Sequence, residues 1–109
     1  LPSRIKGYES AQHLYVIECE GPTKILKASL RKALFDFMNL KRIGVQVHYI
    51  PVHTQPFYKT LGFKWGDYPK AELYYCGALS LPMSFALEED EQAHVIKTVK
   101  EFFNARYTG

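Results

Sequence analysis

Residues 44–58 have the sequence GVQVHYIPVHTQPFY, and this stretch says most about how the chain folds. Its β-branched residues predict a strand over residues 45–50, and Pro51 and Pro56 prevent it from continuing as a central strand of a sheet. The strand therefore ends among histidine, tyrosine and glutamine side chains, whose imidazole, phenol and amide groups can all form hydrogen bonds. We expect any binding site to lie along this edge.

The direction of the His48 side chain is left open by the same stretch. Alternation along a strand places the odd-numbered residues on one face and the even-numbered residues on the other. Both faces carry apolar residues. His48 is therefore either a core histidine hydrogen-bonded to the backbone or a side chain of the binding edge.

The segments before this stretch predict a strand followed by a long helix. Residues 13–18, HLYVIE, are rich in β-formers and lead to the turn pair Gly21-Pro22. Thr23 is predicted as the helix N-cap, and Gly44 is expected to stop the helix. Between them an apolar stripe has the spacing of an amphipathic helix: Leu26, Leu30, Ala33, Leu34, Phe37 and Met38.

The segments after it predict shorter elements and a closing helix. A helical turn is expected at residues 56–61, and Pro69 suits the first position of a helix over residues 70–79. Residues 80–82 are predicted as a short extended piece, an edge strand. The acidic residues 88–91 begin the last helix, where the helix dipole favours them. The apolar stripe of that helix is Val95, Ile96, Val99, Phe102 and Phe103.

This order of elements predicts an α+β fold in which helices cover one face of a small, largely antiparallel sheet. At 109 residues the chain has the length of a single domain, and its 47% hydrophobic content is ample for a packed core. The other face of such a sheet must be polar or covered. We therefore expect further chain beyond residues 1–109.

Composition and charge argue against several classes of protein. The net charge of +3 comes largely from one predicted helix and its flank, which we interpret as a solvated face and not as a nucleic-acid footprint: Lys24, Lys27, Arg31, Lys32, Lys41 and Arg42. Cys19 and Cys76 are isolated, so they predict neither a disulfide framework nor a zinc knuckle and favour a reducing, cytoplasmic setting. No apolar run approaches the ~18 residues of a membrane span.

His48 and His53 raise the question of catalysis or metal binding. A zinc site would need further ligands at recognisable spacing, and no acidic residue lies between these two histidines. Hydrolase chemistry would need an activated nucleophile, for which neither cysteine has the neighbourhood. A Schiff-base lysine needs a buried or specially positioned amine, whereas the helix lysines are predicted at ordinary solvated positions: Lys24, Lys27, Lys97 and Lys100.

Three blocks of the sequence resemble the C-terminal segment of the DegT/DnrJ/EryC1/StrS family of pyridoxal-phosphate-dependent sugar-nucleotide aminotransferases. The blocks are residues 10–17 (SAQHLYVI), residues 44–58 and residues 78–82 (ALSLP), and the helix with the acidic start follows them. The resemblance spans essentially the whole chain. Within the family, the GVQVHYIPVH block is most similar to the UDP-4-amino-4,6-dideoxy-N-acetyl-beta-L-altrosamine transaminase type, which aminates UDP-4-keto-6-deoxy-N-acetylhexosamines.

The resemblance implies that residues 1–109 are the C-terminal small domain of a fold-type-I aminotransferase. The large domain, with pyridoxal phosphate and its Schiff-base lysine, would lie elsewhere in the intact enzyme. The fragment itself would then hold no cofactor and be inactive. The intact enzyme would be a cytoplasmic homodimer that transfers an amino group from glutamate to a UDP-4-keto sugar for surface glycan or polysaccharide biosynthesis.

The resemblance also implies a wall that contacts the substrate. Its substrate-binding residues would be Val47, His48, Tyr49, Ile50 and His53, and the chain would contain no catalytic, cofactor-binding or metal-binding residue. The rival interpretation is a non-catalytic, small-ligand-binding or regulatory α+β module that holds a small anion at the same edge. An RNA-binding module would need aromatic and basic strand motifs that this sequence lacks.

Overall fold

The computed structural model describes residues 5–9, 14–82 and 88–107. Its elements, in chain order, are strand β1 (Tyr15–Glu18), helix α1 (Lys24–Leu40), a 3₁₀ turn (Val52–Thr54), helix α2 (Pro56–Thr60), helix α3 (Pro69–Gly77), strand β2 (Ala78–Leu81) and helix α4 (Glu89–Tyr107). Helices combined with a small antiparallel sheet confirm the predicted α+β fold. None of the described helices is both long enough and apolar enough to cross a lipid bilayer.

The sheet of the described residues consists of β1 and β2, which run antiparallel. Tyr15 lies opposite Leu81, and Glu18 lies opposite Ala78. The first predicted strand is thus confirmed from Tyr15 onward, while His13 lies outside the described residues. The extended piece predicted at residues 80–82 is a strand too, but it begins at Ala78.

Residues 45–50 do not form the predicted strand. Gln46 makes a single bridge to β2, in which its N–H donates to the Ser80 carbonyl at 3.1 Å and the Ser80 N–H donates to the Gln46 carbonyl at 2.7 Å. Two residues later, His48 reaches Ser80 through its side chain and not through its backbone. Pro51 then supplies no N–H at all. Because neither His48 nor Pro51 adds a backbone hydrogen bond to β2, the segment leaves the sheet after Gln46.

Helix α1 begins as predicted and ends earlier than predicted. Thr23 caps its N-terminus, where the Thr23 Oγ1 accepts a hydrogen bond from the Leu26 N–H at 3.2 Å. The helix ends with Lys41 as its C-cap, and Arg42 takes the left-handed conformation at φ 61°. Gly44 was expected in that role, but its φ is not positive. The chain therefore turns toward the sheet two residues before the glycine.

Helix α3 opens at Pro69, as predicted, but it ends at Gly77 and passes directly into β2. The Gly77 carbonyl accepts a hydrogen bond from the Cys19 N–H at 2.8 Å. A Cβ added to Gly77 would lie 2.3 Å from the Cys19 carbonyl oxygen. This close backbone contact requires glycine and fixes where the helix ends, so residues 78 and 79 belong to the strand and not to the helix.

The hydrophobic core lies between α1, α4 and the sheet. Its largest fully buried apolar side chains come from α1 and β2: Leu34, Met38 and Leu79. Cys19, the residue after β1, is fully buried as well. The rings of Phe37 and Phe102 pack α1 against α4 with their centroids 5.5 Å apart. Val95 and Phe102 are buried, which confirms the inward face predicted for α4, whereas Ile96 is 46% exposed and lies outside it.

Lys27 was expected at a solvated helix position, and that expectation is wrong. Its side chain is 6% exposed, and its ammonium group pairs with the carboxylate of Glu18 on β1. The helical spacing placed Lys27 on the polar side of α1. The tertiary fold buries that side as well, because α3 packs against α1 there. Burial of a lysine is tolerated here because its charge is paired.

We predict that Gly77→Ala lowers the free energy of unfolding by about 1–3 kcal/mol, because the added methyl group overlaps the Cys19 backbone. The measurement is urea unfolding followed by circular dichroism. Gly44→Ala is the matched control, since a Cβ at Gly44 meets nothing within 4 Å. Equal stabilities of the two variants would contradict the close contact between α3 and β1.

Candidate functional site

The segment that follows the Gln46 bridge presents the first group of predicted site residues. His48 Nδ1 lies 2.9 Å from the Ser80 Oγ, and the Ser80 side chain is buried on β2. The imidazole is held by a side-chain hydroxyl, so the structure does not show the backbone-bonded histidine that alternation left possible. The Tyr49 ring stands edge-on to the His48 ring, with centroids 4.6 Å apart.

The predicted substrate-binding residues differ in how they meet solvent. Tyr49 is 74% exposed and Ile50 49%, so both face outward. His48 is half-buried. Val47 is also half-buried and packs against the hydrophobic core. His53 is buried and belongs to a different cluster, which the sequence interpretation did not foresee.

Glu72, in the first turn of α3, is the centre of that cluster. Its Oε2 accepts hydrogen bonds from His53 Nε2 at 2.9 Å, from the Gly66 N–H at 2.8 Å and from the Tyr68 N–H at 3.3 Å. Its Oε1 accepts from Lys24 Nζ at 3.1 Å and from the same Gly66 N–H at 2.9 Å. The Glu72 side chain is 1% exposed. The buried carboxylate is therefore paired on both of its oxygens.

These partners determine the charge of the Glu72 carboxyl group. Burial by itself would raise its pKa, but the hydrogen bonds from His53, Gly66, Lys24 and Tyr68 outweigh burial and lower the pKa to about 2. The carboxylate is thus ionised at neutral pH and can only accept hydrogen bonds. His53 Nε2 must then carry the hydrogen of the bond to Glu72, which fixes the orientation of the imidazole ring.

The cluster forms the back of a cleft beside the segment that carries His48 and Tyr49. The cleft has a volume of about 390 Å³ and is lined by the 3₁₀ turn, α2, α3 and the loop between the two helices: Pro51, Val52, His53, Tyr58, Phe63, Tyr68 and Ala71. The His53 and Tyr68 rings meet edge-on with centroids 4.8 Å apart. The arrangement provides aromatic faces and a fixed imidazole for contact with a polar, partly planar molecule.

Sequence reasoning identified His53 and missed Glu72. The one local signal was an acidic residue in the first turn of a helix that opens with proline, which ordinarily indicates only a favourable charge near the helix dipole. Nothing in the spacing connects Glu72 with His53, 19 residues earlier, or with Lys24, 48 residues earlier. The cluster forms only because the fold brings these distant residues together.

Lys24 and Lys27 of α1 have their ammonium groups in ion pairs. Lys27 is buried, and a Cβ added at Gly77 would come within 2.8 Å of its Cε. Lys24 is engaged by Glu72. Among the described residues, no three histidine, cysteine, aspartate or glutamate side chains are grouped so that they could hold a metal ion.

The matched family and the similar solved structures both point to aminotransferases. Residues 2–100 match the DegT/DnrJ/EryC1/StrS aminotransferase family. The chain is 39% identical over 93 residues to the spore coat polysaccharide biosynthesis protein SpsC of Bacillus subtilis, an alignment that covers 84% of this chain and 23% of SpsC. It is 34% identical over 103 residues to the pleiotropic regulatory protein of Geobacillus stearothermophilus, with 94% and 25% covered.

Solved structures with a similar fold agree with these sequence matches. Spr1654 of Streptococcus pneumoniae, named as a sugar aminotransferase, superimposes in its apo-form with a TM-score of 0.83 at 29% identity, over 99% of this chain and 26% of that protein. The PLP-form of Spr1654 gives a TM-score of 0.81 over 94% of this chain. The chain thus spans about a quarter of the length of the proteins it resembles.

The lowered pKa of Glu72 predicts how stability depends on pH. Its value in the folded protein, about 2, is below its ordinary value of 4.5, so the stabilisation is fully present above pH 4.5 and is lost as the pH falls toward 2. We expect the thermal midpoint of the wild type to fall across this window, and Glu72→Gln to flatten that dependence. The measurement is thermal unfolding at a series of pH values.

Asp36→Asn is the control for this experiment, because it removes a carboxylate that pairs with Lys32 on the exposed surface of α1. This variant should keep the pH dependence of the wild type. If Glu72→Gln lost stability in parallel with the wild type between pH 4.5 and 2, the cluster would not contribute as described.

Proposed function

This chain belongs to the DegT/DnrJ/EryC1/StrS aminotransferase family, and from that premise we propose that it is the C-terminal small domain of a sugar-nucleotide aminotransferase. The intact enzyme transfers an amino group from glutamate to the keto carbon of a UDP-4-keto-6-deoxy-N-acetylhexosamine. The match to the family over residues 2–100 carries this proposal. The similarity to SpsC, named for spore coat polysaccharide biosynthesis, supports a role in making a surface polysaccharide.

The remaining three quarters of such an enzyme would supply the cofactor site. We propose that a large domain outside residues 1–109 carries pyridoxal phosphate and the lysine that holds it, because the chain spans only about a quarter of the length of the proteins it resembles. When bound there, the cofactor supplies the electron sink that amino-group transfer requires. The enzyme is further proposed to be a cytoplasmic homodimer, in which this domain covers the active-site cleft.

In this proposal the chain contributes substrate binding and orientation. A UDP-sugar presents a diphosphate, hydroxyl groups and a planar uracil ring. Because Ser80 holds Nδ1 of His48, Nε2 is the nitrogen that would bond to the substrate. The exposed Tyr49 offers both a ring face and a phenol hydroxyl, and Ile50 offers apolar contact.

Val47 would support this wall from the core side, and His53 would contribute from the adjoining cleft. Such contacts hold the sugar in place for the reaction.

The test of the proposed function is an absorption spectrum of the protein purified from its complete natural gene, recorded before and after addition of glutamate. We expect the absorption of bound pyridoxal phosphate, and its conversion by glutamate to that of pyridoxamine phosphate. A protein that stays colourless with added pyridoxal phosphate would leave the small-ligand-binding module as the better interpretation.

A second test concerns the substrate wall. In the intact enzyme, His48→Ala should raise the KM for the UDP-4-keto sugar roughly ten- to a hundredfold, since a hydrogen bond to a charged group is worth about 1.5–3 kcal/mol. Tyr49→Phe should raise it less, because the ring remains. Cofactor retention should not change in either variant. Tyr74→Phe, at a 44% exposed position on α3, is the matched control. Unchanged sugar kinetics in His48→Ala would contradict the assignment.

A further inference from the structure

The His53 ring lies between the Glu72 carboxylate on one side and aromatic rings on the other. Behind the ring, Glu72 Oε2 accepts the hydrogen from Nε2 at 2.9 Å. In front, the Tyr68 ring meets the imidazole edge-on at a centroid distance of 4.8 Å, and the Trp65 ring lies 6.4 Å away. The imidazole therefore has one favoured orientation, with Nε2 toward α3.

The same carboxylate also determines where Tyr68 and the loop before it stand. Glu72 accepts hydrogen bonds from the backbone N–H groups of Gly66 and Tyr68. Gly66 has a φ of 99°, a left-handed conformation that glycine adopts without strain. The loop between α2 and α3 can thus turn back over the carboxylate. One side chain fixes both the imidazole and the loop that faces it.

Glu72 itself does not line the cleft, whereas His53 and Tyr68 do. Pro51, at the start of this cleft, directly follows Ile50 at the end of the proposed substrate wall. The orientation set by Glu72 is therefore transmitted to side chains that continue that wall.

We propose that Glu72 is a positioning residue for the sugar nucleotide, acting through His53 and the Gly66–Tyr68 turn, an inference that rests on the proposed function. Glu72 is 1% exposed and does not line the cleft, so it would act without touching the substrate. It holds the imidazole and the neighbouring tyrosine in the arrangement that the bound substrate requires. Loss of its charge should weaken substrate binding without altering the chemical step.

The experiment measures steady-state kinetics of the intact enzyme with UDP-4-keto-6-deoxy-N-acetylhexosamine for the wild type, His53→Ala, Glu72→Gln and the double variant. We expect Glu72→Gln to raise KM several-fold, on the order of fivefold, with kcat and bound pyridoxal phosphate unchanged. Because part of the effect of Glu72 passes through His53 and part through the Gly66–Tyr68 turn, the double variant should have a KM above that of His53→Ala but below the product of the two single effects.

Gly77→Ala is the control for general destabilisation, since it perturbs the other end of the same helix without contacting the cluster. It should lower the thermal midpoint and leave KM unchanged. The inference is overturned if Glu72→Gln has the KM of the wild type, if Gly77→Ala raises KM equally, or if the effects of His53→Ala and Glu72→Gln multiply. A wild-type enzyme that holds pyridoxal phosphate but does not turn over the sugar overturns the proposed substrate, and the inference with it.

Discussion

The structure depends on the burial of one carboxylate. A charge can be removed from water only when all its hydrogen-bonding capacity is satisfied, and Glu72 meets this requirement with donors from α1, the 3₁₀ turn and the loop before α3. Segments far apart in sequence must therefore meet at one point. Among the described residues, no buried side-chain nitrogen or oxygen lacks a partner. The segment that follows the proposed substrate wall is in this way fixed to the helical part of the domain.

A second ion pair, of which only the lysine is buried, connects α1 to the sheet. Lys27 of α1 pairs with Glu18 of β1, and its stem passes close to Gly77, where α3 becomes β2. The absence of a side chain at Gly77 allows the backbone of Cys19, the residue after β1, to approach this junction. Helix α3 thus lies between two ion pairs, one at each of its ends. Helix α3 is therefore the element that connects the core to the candidate site.

The sequence predicted the parts of the fold that depend on local rules. The Thr23 cap, the opening of α3 at Pro69 and the acidic start of α4 are decided within one or two turns of helix, and the structure confirms all of them. The errors concern features that long-range contacts decide. Lys27 follows the polar pattern of an exposed helix face, and only the position of α3 buries it. Of the candidate site, His48 and His53 were recognisable as residue types, but their partners Ser80 and Glu72 lie 32 and 19 residues away.

The wrong strand prediction at residues 45–50 coincides with the proposed substrate wall, and the two facts have one physical cause. In a paired strand, the backbone groups of His48 and Ile50 would bond to β2, and the side chains would be directed by the pleat of the sheet. After Gln46 the chain gives up those backbone bonds, so Tyr49 and Ile50 turn outward while Ser80 still holds the His48 ring. Residues with strong β propensity are kept out of a sheet here, a conflict between local preference and structure that is expected at functional sites. Side-chain bonds at His48 and His53 hold the segment at both ends, and between them Tyr49, Ile50 and Val52 stay exposed to solvent.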